Sequence, residues 1–263
     1  MIFTKDDIIT TDKYYNNFKN IYFKTDAIVN NNIFNWRGIN VYPPTKHMDV
    51  IISGHSDFGI HDSQVELFSP QIWYTVNKQT SNSSVCSIPL GITNNTNESN
   101  IHPVYGDLDS MIEVMAQSIE KKNLVYMNFN IGTYAQERQL VWNLFNTKKW
   151  VTIGNTVNTI AGRTNFLKEI KAHHFVLCPR GNGVDTHRLW ETLYMGSIPI
   201  VKRNVAYEEF YDLPICFIDD WAEINEDFLE NEKNRINNNI YCLDKLKISY
   251  WVDRINTSIE KII

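Results

Sequence analysis

Residues 178–201 read CPRGNGVDTHRLWETLYMGSIPIV, and the order of residue types in this stretch decides the fold class. The apolar run at 174–178 reads as a buried strand that Pro179 ends, because proline has no N–H to give to a sheet ladder. Gly181 and Gly183 allow positive φ and a close approach of backbone to a ligand. Asp185 or Thr186 is placed to cap a helix that sets Leu189, Trp190, Leu193 and Tyr194 toward the core and His187, Arg188 and Glu191 on the other side. A second apolar run at 198–201 follows. Strand, glycine-bearing turn, helix and strand make a βαβ unit, and open parallel sheets bind ligands at the carboxyl ends of their strands.

Working outward, further strand patterns lie at 123–129, 150–153 and 215–218, with helical patterns at 134–146, 164–172 and 185–195 between them. Five strands with crossover helices predict a Rossmann-like lobe over residues 123–240. The first half is less regular. Apolar runs at 49–53, 71–76 and 85–92, joined by loops rich in Asn and Ser, predict a smaller α/β lobe over residues 1–106. Residues 107–122 read as a connecting helix capped by Asp107 or Asp109, and a last helix within 241–263 is expected to pack back on the first lobe.

The chain has 263 residues, of which 43% are hydrophobic and 21% charged, which is the balance of a globular protein able to bury a full core. Its net charge of −5 argues against nucleic acid or an anionic membrane as a partner, since such binders need a wide positive face. Cys86, Cys178, Cys216 and Cys242 are far apart and form neither a disulfide framework nor a zinc motif. No apolar run is long enough to span a membrane, and the charged start of the chain does not read as a signal peptide, so a cytoplasmic protein is expected. The abundance of Asn, Ile and Lys reflects an AT-rich source rather than a structural need.

Between residues 180 and 203, Arg180, Arg188, Lys202 and Arg203 outnumber Asp185 and Glu191, a local charge of +2 on a chain of −5. Arginine forks and a helix N-terminus suit a diphosphate, and a carboxylate one turn further on suits the hydroxyls of a ribose. The plain alternative is a tight turn with a surface Arg188–Glu191 pair. The Walker pattern is absent, and GNGVDT lacks the third glycine of the dinucleotide fingerprint, which disfavours a nicotinamide enzyme.

The run HFVLCPRGNGVDTHRLWETLYMGSIPIV resembles the signature of the exostosin-like (GT47-type) glycosyltransferases. Weaker similarity reaches YMNFN with Glu137 and Arg138, and SGHSD and SIPLGI in the first half. The resemblance implies a GT-B-like α/β fold of two Rossmann-like lobes, here with a reduced N-terminal lobe. It implies a hexosyl- or pentosyltransferase that is inverting and metal-independent, needs no cofactor, and takes a nucleotide-sugar, a UDP-sugar first, as donor. The acceptor would be a hydroxyl of a glycan or glycoconjugate. It also assigns the diphosphate to Arg188 and the ribose to Glu191, within a donor site formed by Arg138, Arg180, Gly181, Asn182, Gly183, Asp185, Thr186, His187, Arg188 and Glu191. Members of the family commonly carry an amino-terminal anchor and a longer first lobe, and neither is expected from this sequence. A non-catalytic nucleotide- or glycan-binding module and another nucleotide-dependent sugar-modifying enzyme are the rival readings.

A base is expected on the loop after residue 53. Asp57 is the first candidate, and His55 the alternative, with His61 and Asp62 behind them. Ser56 is not a nucleophile of the G-x-S-x-G type, because the closing glycine is missing. Asp107-Leu108-Asp109 has the form of a metal-binding DxD, but it opens a helical pattern, and capping is the expected role. No metal site is predicted. Tyr14, Tyr15, Phe18, Tyr22 and Phe23 read as core aromatics, and His173 and His174 as structural.

Overall fold

The computed structural model describes residues 3–262. In the first lobe, β1 (Tyr22–Lys24) is followed by a hairpin of β2 (Phe34–Trp36) and β3 (Ile39–Val41), then by β4 (Val50–Gly54), β5 (Ile72–Thr75) and β6 (Val85–Ser87). The hairpin pairs with itself, and the other four strands form a parallel sheet ordered β1-β4-β5-β6. Its centre is buried on both faces: every residue of β4 is buried, as suits a parallel sheet covered by helices. Helix α1 (Thr11–Asn17) precedes β1, and α2 (Thr25–Val29) and α3 (Asp62–Phe68) lie between strands. The aromatic cluster at 14–23 thus includes a short strand as well as core side chains.

Two helices, α4 (His102–Tyr105) and α5 (Leu108–Ala116), lead to the second lobe. The Asp107 carboxylate accepts a hydrogen bond from the Ser110 N–H at 2.9 Å and caps α5. That helix ends six residues before the expected 122. At its end the Lys171 ammonium donates to the Val114 and Met115 carbonyls at 3.0 and 2.6 Å, and beyond it the Lys121 ammonium donates to the Lys171 and His173 carbonyls, each at 3.0 Å.

The second lobe contains β7 (Asn123–Met127), α6 (Ala135–Phe145), β8 (Val151–Ile153), α7 (Ile160–Ala172), β9 (His173–Leu177), α8 (His187–Tyr194), β10 (Ile198–Lys202), β11 (Cys216–Ile218), α9 (Glu226–Asn237) and α10 (Ile248–Ile262). All five strands are parallel, in the order β11-β10-β9-β7-β8. The chain starts at β7, turns outward to β8 and then returns past β7 to β9, so the direction of winding reverses between β7 and β9. The crevice outside the carboxyl ends of those two strands is the switch point at which such sheets bind ligands.

Helix α10 returns to the first lobe, where the Ser258 and Tyr74 hydroxyls meet at 2.7 Å. Under the cleft the lobes share one apolar core, and the buried Tyr194 hydroxyl accepts from the Ile9 N–H while donating to the Leu246 carbonyl. Two parallel α/β lobes whose strand ends face a common cleft constitute a GT-B-like fold with a reduced first lobe. Among the described residues no helix is long and apolar enough to cross a membrane.

Candidate functional site

A cavity of about 610 Å³ lies between the lobes at the β7/β9 switch point, within the size range of sites for small ligands. The second lobe lines it with the loops after β7, β8 and β9 and with the start of α8. The first lobe contributes the loop after β4, the loop after β6, and residues from Glu98 to Tyr105. Asp57, His55, Arg138, Gly181, Asn182, Gly183, Asp185, Thr186, His187, Arg188 and Glu191 all line this cavity.

Arg180 does not. Its guanidinium folds back on its own loop, donating to the Gly181 carbonyl at 3.2 Å and the Asn182 carbonyl at 2.8 Å, and lies 4.4 Å from the centre of the Tyr134 ring. Arg203 is likewise turned away, toward Asp219 at 3.2 Å. The local excess of positive charge in the sequence is therefore not delivered to the cavity as a whole, and Arg188 carries more of it.

Arg188 lies over the Phe166 ring, 5.0 Å from its centre, and its side chain has no hydrogen-bond or ion-pair partner among the described residues. Its Nε is buried. The Thr186 hydroxyl beside it is also buried without a partner. This corrects the expected cap: Thr186 is the N-cap of α8, but its side chain makes no capping bond. Asp185 looks elsewhere, accepting from the Leu90 N–H at 2.8 Å and from the Trp190 indole at 2.9 Å. Burial pushes the Asp185 carboxyl up to about 7, against the lowering effect of those donors.

Glu191 corrects a second expectation. It is 3% exposed, not on an open helix face, and it is not paired with Arg188. Its Oε1 accepts from Nη1 of Arg163 at 2.6 Å, while Oε2 has no hydrogen bond among the described residues. The helix is buried nearly all round because both lobes pack on it. Leu189, Trp190, Leu193 and Tyr194 enter the core as expected, and the polar side faces the cavity.

The glycines act by size. Neither Gly181 nor Gly183 has positive φ, contrary to the expectation from sequence. A Cβ on Gly183 would lie 2.7 Å from the Asn77 side-chain nitrogen, so the absence of a side chain lets the first lobe approach. Arg138 holds the same loop from below. It donates to the carbonyls of Arg180 and Asn130, each at 2.8 Å, and burial followed by the nearby Arg188 lowers its guanidinium to about 10. Its main contacts are thus with backbone. His187 donates from Nδ1 to the Gly91 carbonyl at 2.8 Å, and burial lowers its imidazole below the usual range.

On the first-lobe wall, the His55 ring is held at both nitrogens. Nε2 donates to Asp12 at 2.8 Å, and Nδ1 accepts from the Tyr22 hydroxyl at 2.6 Å. Burial lowers its imidazole although Asp12 opposes the shift. With its lone pair taken by Tyr22, His55 is a strut and no longer a ready base. His61 caps α3 and Asp62 accepts from the Thr80 hydroxyl, both outside the cavity lining. Asp57 is exposed at the cavity rim, 3.4 Å from the Asn182 amide of the opposite lobe. Asp109 pairs with Lys5 away from the cavity, so the DxD triplet stands apart from the site. Glu98, His102, Tyr105 and Asn130 join the lining without any motif to announce them, and Arg163 lies behind it.

Residues 133–262 match the family model described as the RXYLT1 C-terminal domain. Among solved structures, the chain is similar to an alpha1,3-fucosyltransferase crystallised with GDP-fucose, at 13% identity and a TM-score of 0.43, over 84% of this chain and 79% of that one. Comparison with curated proteins gives no match. Over residues 133–262, the part of the chain that carries Arg188 and Glu191, the family match agrees with the exostosin-like resemblance.

Proposed function

We propose that this protein transfers a sugar from a nucleoside-diphosphate donor, a UDP-sugar first, to a hydroxyl of a glycan or glycoconjugate, with inversion and without a metal ion. The observation that carries the reading is the unpartnered Arg188 guanidinium at the open N-terminus of α8, in a cavity at the switch point. A diphosphate there would receive a charge-assisted fork and the positive end of the helix, and both strengthen as negative charge grows on the leaving group. The free oxygen of Glu191 would accept a ribose hydroxyl. The first lobe, up to residue 106, would present the acceptor, and Asp57 at its rim would take the acceptor proton as the new glycosidic bond forms behind the departing diphosphate.

Calorimetric titration of the protein with UDP, GDP and NAD, with and without EDTA, tests this. Binding of UDP or GDP that survives EDTA is the expected result. Binding of NAD alone would point to a dehydrogenase-type enzyme, and no binding of any nucleotide would overturn the donor site. Nucleotide binding with no hydrolysis or transfer from any nucleotide-sugar would favour a non-catalytic module.

A further inference from the structure

On α7, Arg163 occupies a position of the apolar stripe. Phe166, Leu167 and Ile170 follow it at three, four and seven residues and are buried, and Arg163 is buried with them at 1% exposure. It also lies in the first turn of its helix, behind the Thr159 cap, where the helix dipole disfavours a cation. Its guanidinium carbon is 5.5 Å from the centres of both the Tyr105 and Phe166 rings. Nε and Nη2 have no partner among the described residues. The ring contacts are favourable, but two buried donors without partners and a cation in the first turn lower stability, and a buried ion pair does not recover it relative to apolar packing. Stability therefore does not explain the arginine.

What Arg163 does hold is one oxygen of Glu191, at 2.6 Å, on the wall of the cavity. A carboxylate gripped at Oε1 has a fixed plane, and its second oxygen then points in one direction. We propose that Arg163 is a positioning residue that presents the free oxygen of Glu191 to a ribose hydroxyl, and so sets a preference of the site for ribonucleotides over 2′-deoxyribonucleotides. The proposal rests on the reading of Glu191 given above.

The test compares UDP, 2′-deoxy-UDP and inorganic diphosphate by calorimetry, with GDP and 2′-deoxy-GDP as a second pair, on wild type, Arg163→Lys, Arg163→Met, Glu191→Gln and the Arg163→Lys/Glu191→Gln double variant. Wild type is expected to favour the ribonucleotide by at least about tenfold, because a site built for a hydroxyl rejects the analogue lacking it. In Arg163→Met that ratio should fall to within about twofold of one, with diphosphate affinity unchanged, and Arg163→Lys should retain part of it. Once Glu191 is Gln, changing Arg163 should alter the ratio no further. A folded Arg163 variant with the wild-type ratio, or one that loses all three ligands equally, overturns the proposal. If neither the Lys nor the Met variant folds, the arginine is structural and the proposal falls. A wild-type protein that binds nucleotides without discriminating them removes the Glu191 assignment, and one that binds none removes the donor site itself.

Discussion

The Asn77 side-chain oxygen accepts a hydrogen bond of 2.8 Å from the backbone N–H of Asp185, and this bond joins the first lobe to the turn that opens α8. The same amide donates to the Ser56 carbonyl at 3.2 Å, so one buried side chain holds both the loop bearing Asp57 and the turn bearing Gly183. Asn77 itself has φ of +60°, a conformation that asparagine tolerates better than most residues.

Asn77→Ala is therefore expected to destabilise by about 1–3 kcal/mol, through a buried N–H left without a partner and through an unfavourable backbone conformation. Gly183→Ala should cost a similar amount, because its Cβ would lie 2.7 Å from the Asn77 amide. Urea unfolding measures both. If either variant is as stable as wild type, the two lobes are not joined through this contact.

Arg188→Ala should behave in the opposite way. Its guanidinium has no hydrogen-bond or ion-pair partner among the described residues, so the melting temperature should hold or rise, while nucleotide affinity falls by about 2–4 kcal/mol with the loss of a charge-assisted fork. Calorimetry with UDP and GDP alongside thermal unfolding separates the two effects. A folded variant with wild-type nucleotide affinity would remove Arg188 from the donor site.

The second lobe was legible because its strands are short unbroken apolar runs and its helices carry an apolar stripe, so period and length agree. The first lobe was less so. β1 lies within an aromatic cluster whose mixed spacing matches neither a helix nor an alternating strand. Arg188 and Glu191 were readable because they share a turn with glycines and a proline. Glu98 and His102 come to the cavity through tertiary packing alone, and no local pattern could place them. Arg163 did leave a signal: an arginine three, four and seven residues before buried apolar side chains interrupts the stripe of α7, a conflict between local pattern and residue type. The direction in which Arg180 points was beyond the sequence, because its own loop carbonyls compete for it.

Asp185 should make stability depend on pH. Its carboxyl is raised in the folded protein from 3.8 to about 7, chiefly by burial, so the folded state binds its proton more tightly than the unfolded state does. The contribution is fully present below about pH 4 and is lost as pH rises through about 7, with a ceiling of about 4 kcal/mol for a shift of this size. Asp185→Asn removes the titration. Wild type should therefore lose stability relative to this variant between pH 5 and pH 7.5 in urea unfolding, and parallel pH profiles would contradict the assignment.

On the first-lobe wall of the cavity, Asp57 is exposed and its carboxylate has no charged partner among the described residues. His55 is clamped by Asp12 and Tyr22, Asp62 is engaged by Thr80 outside the lining, and Glu98 is paired with Arg37. Asp57 is exposed at the rim, with the Asn182 amide of the other lobe 3.4 Å from its Oδ2, a contact long enough for closure of the lobes or an incoming hydroxyl to replace. A base must come within about 2.6–3.2 Å of the group whose proton it takes, and Asp57 already lines the cavity in which an acceptor hydroxyl would have to lie. Asp57→Asn keeps the shape and the contact to Asn182 but cannot take a proton. Nucleotide affinity should stay within about twofold of wild type while turnover of the nucleotide-sugar falls by about 10² to 10⁴, and Asp62→Asn should leave turnover unchanged. Near-wild-type turnover in Asp57→Asn would move the base to another group on the same wall, with His102 the next to substitute because it lines the cavity and, among the described residues, only its Nδ1 is engaged, by Thr96.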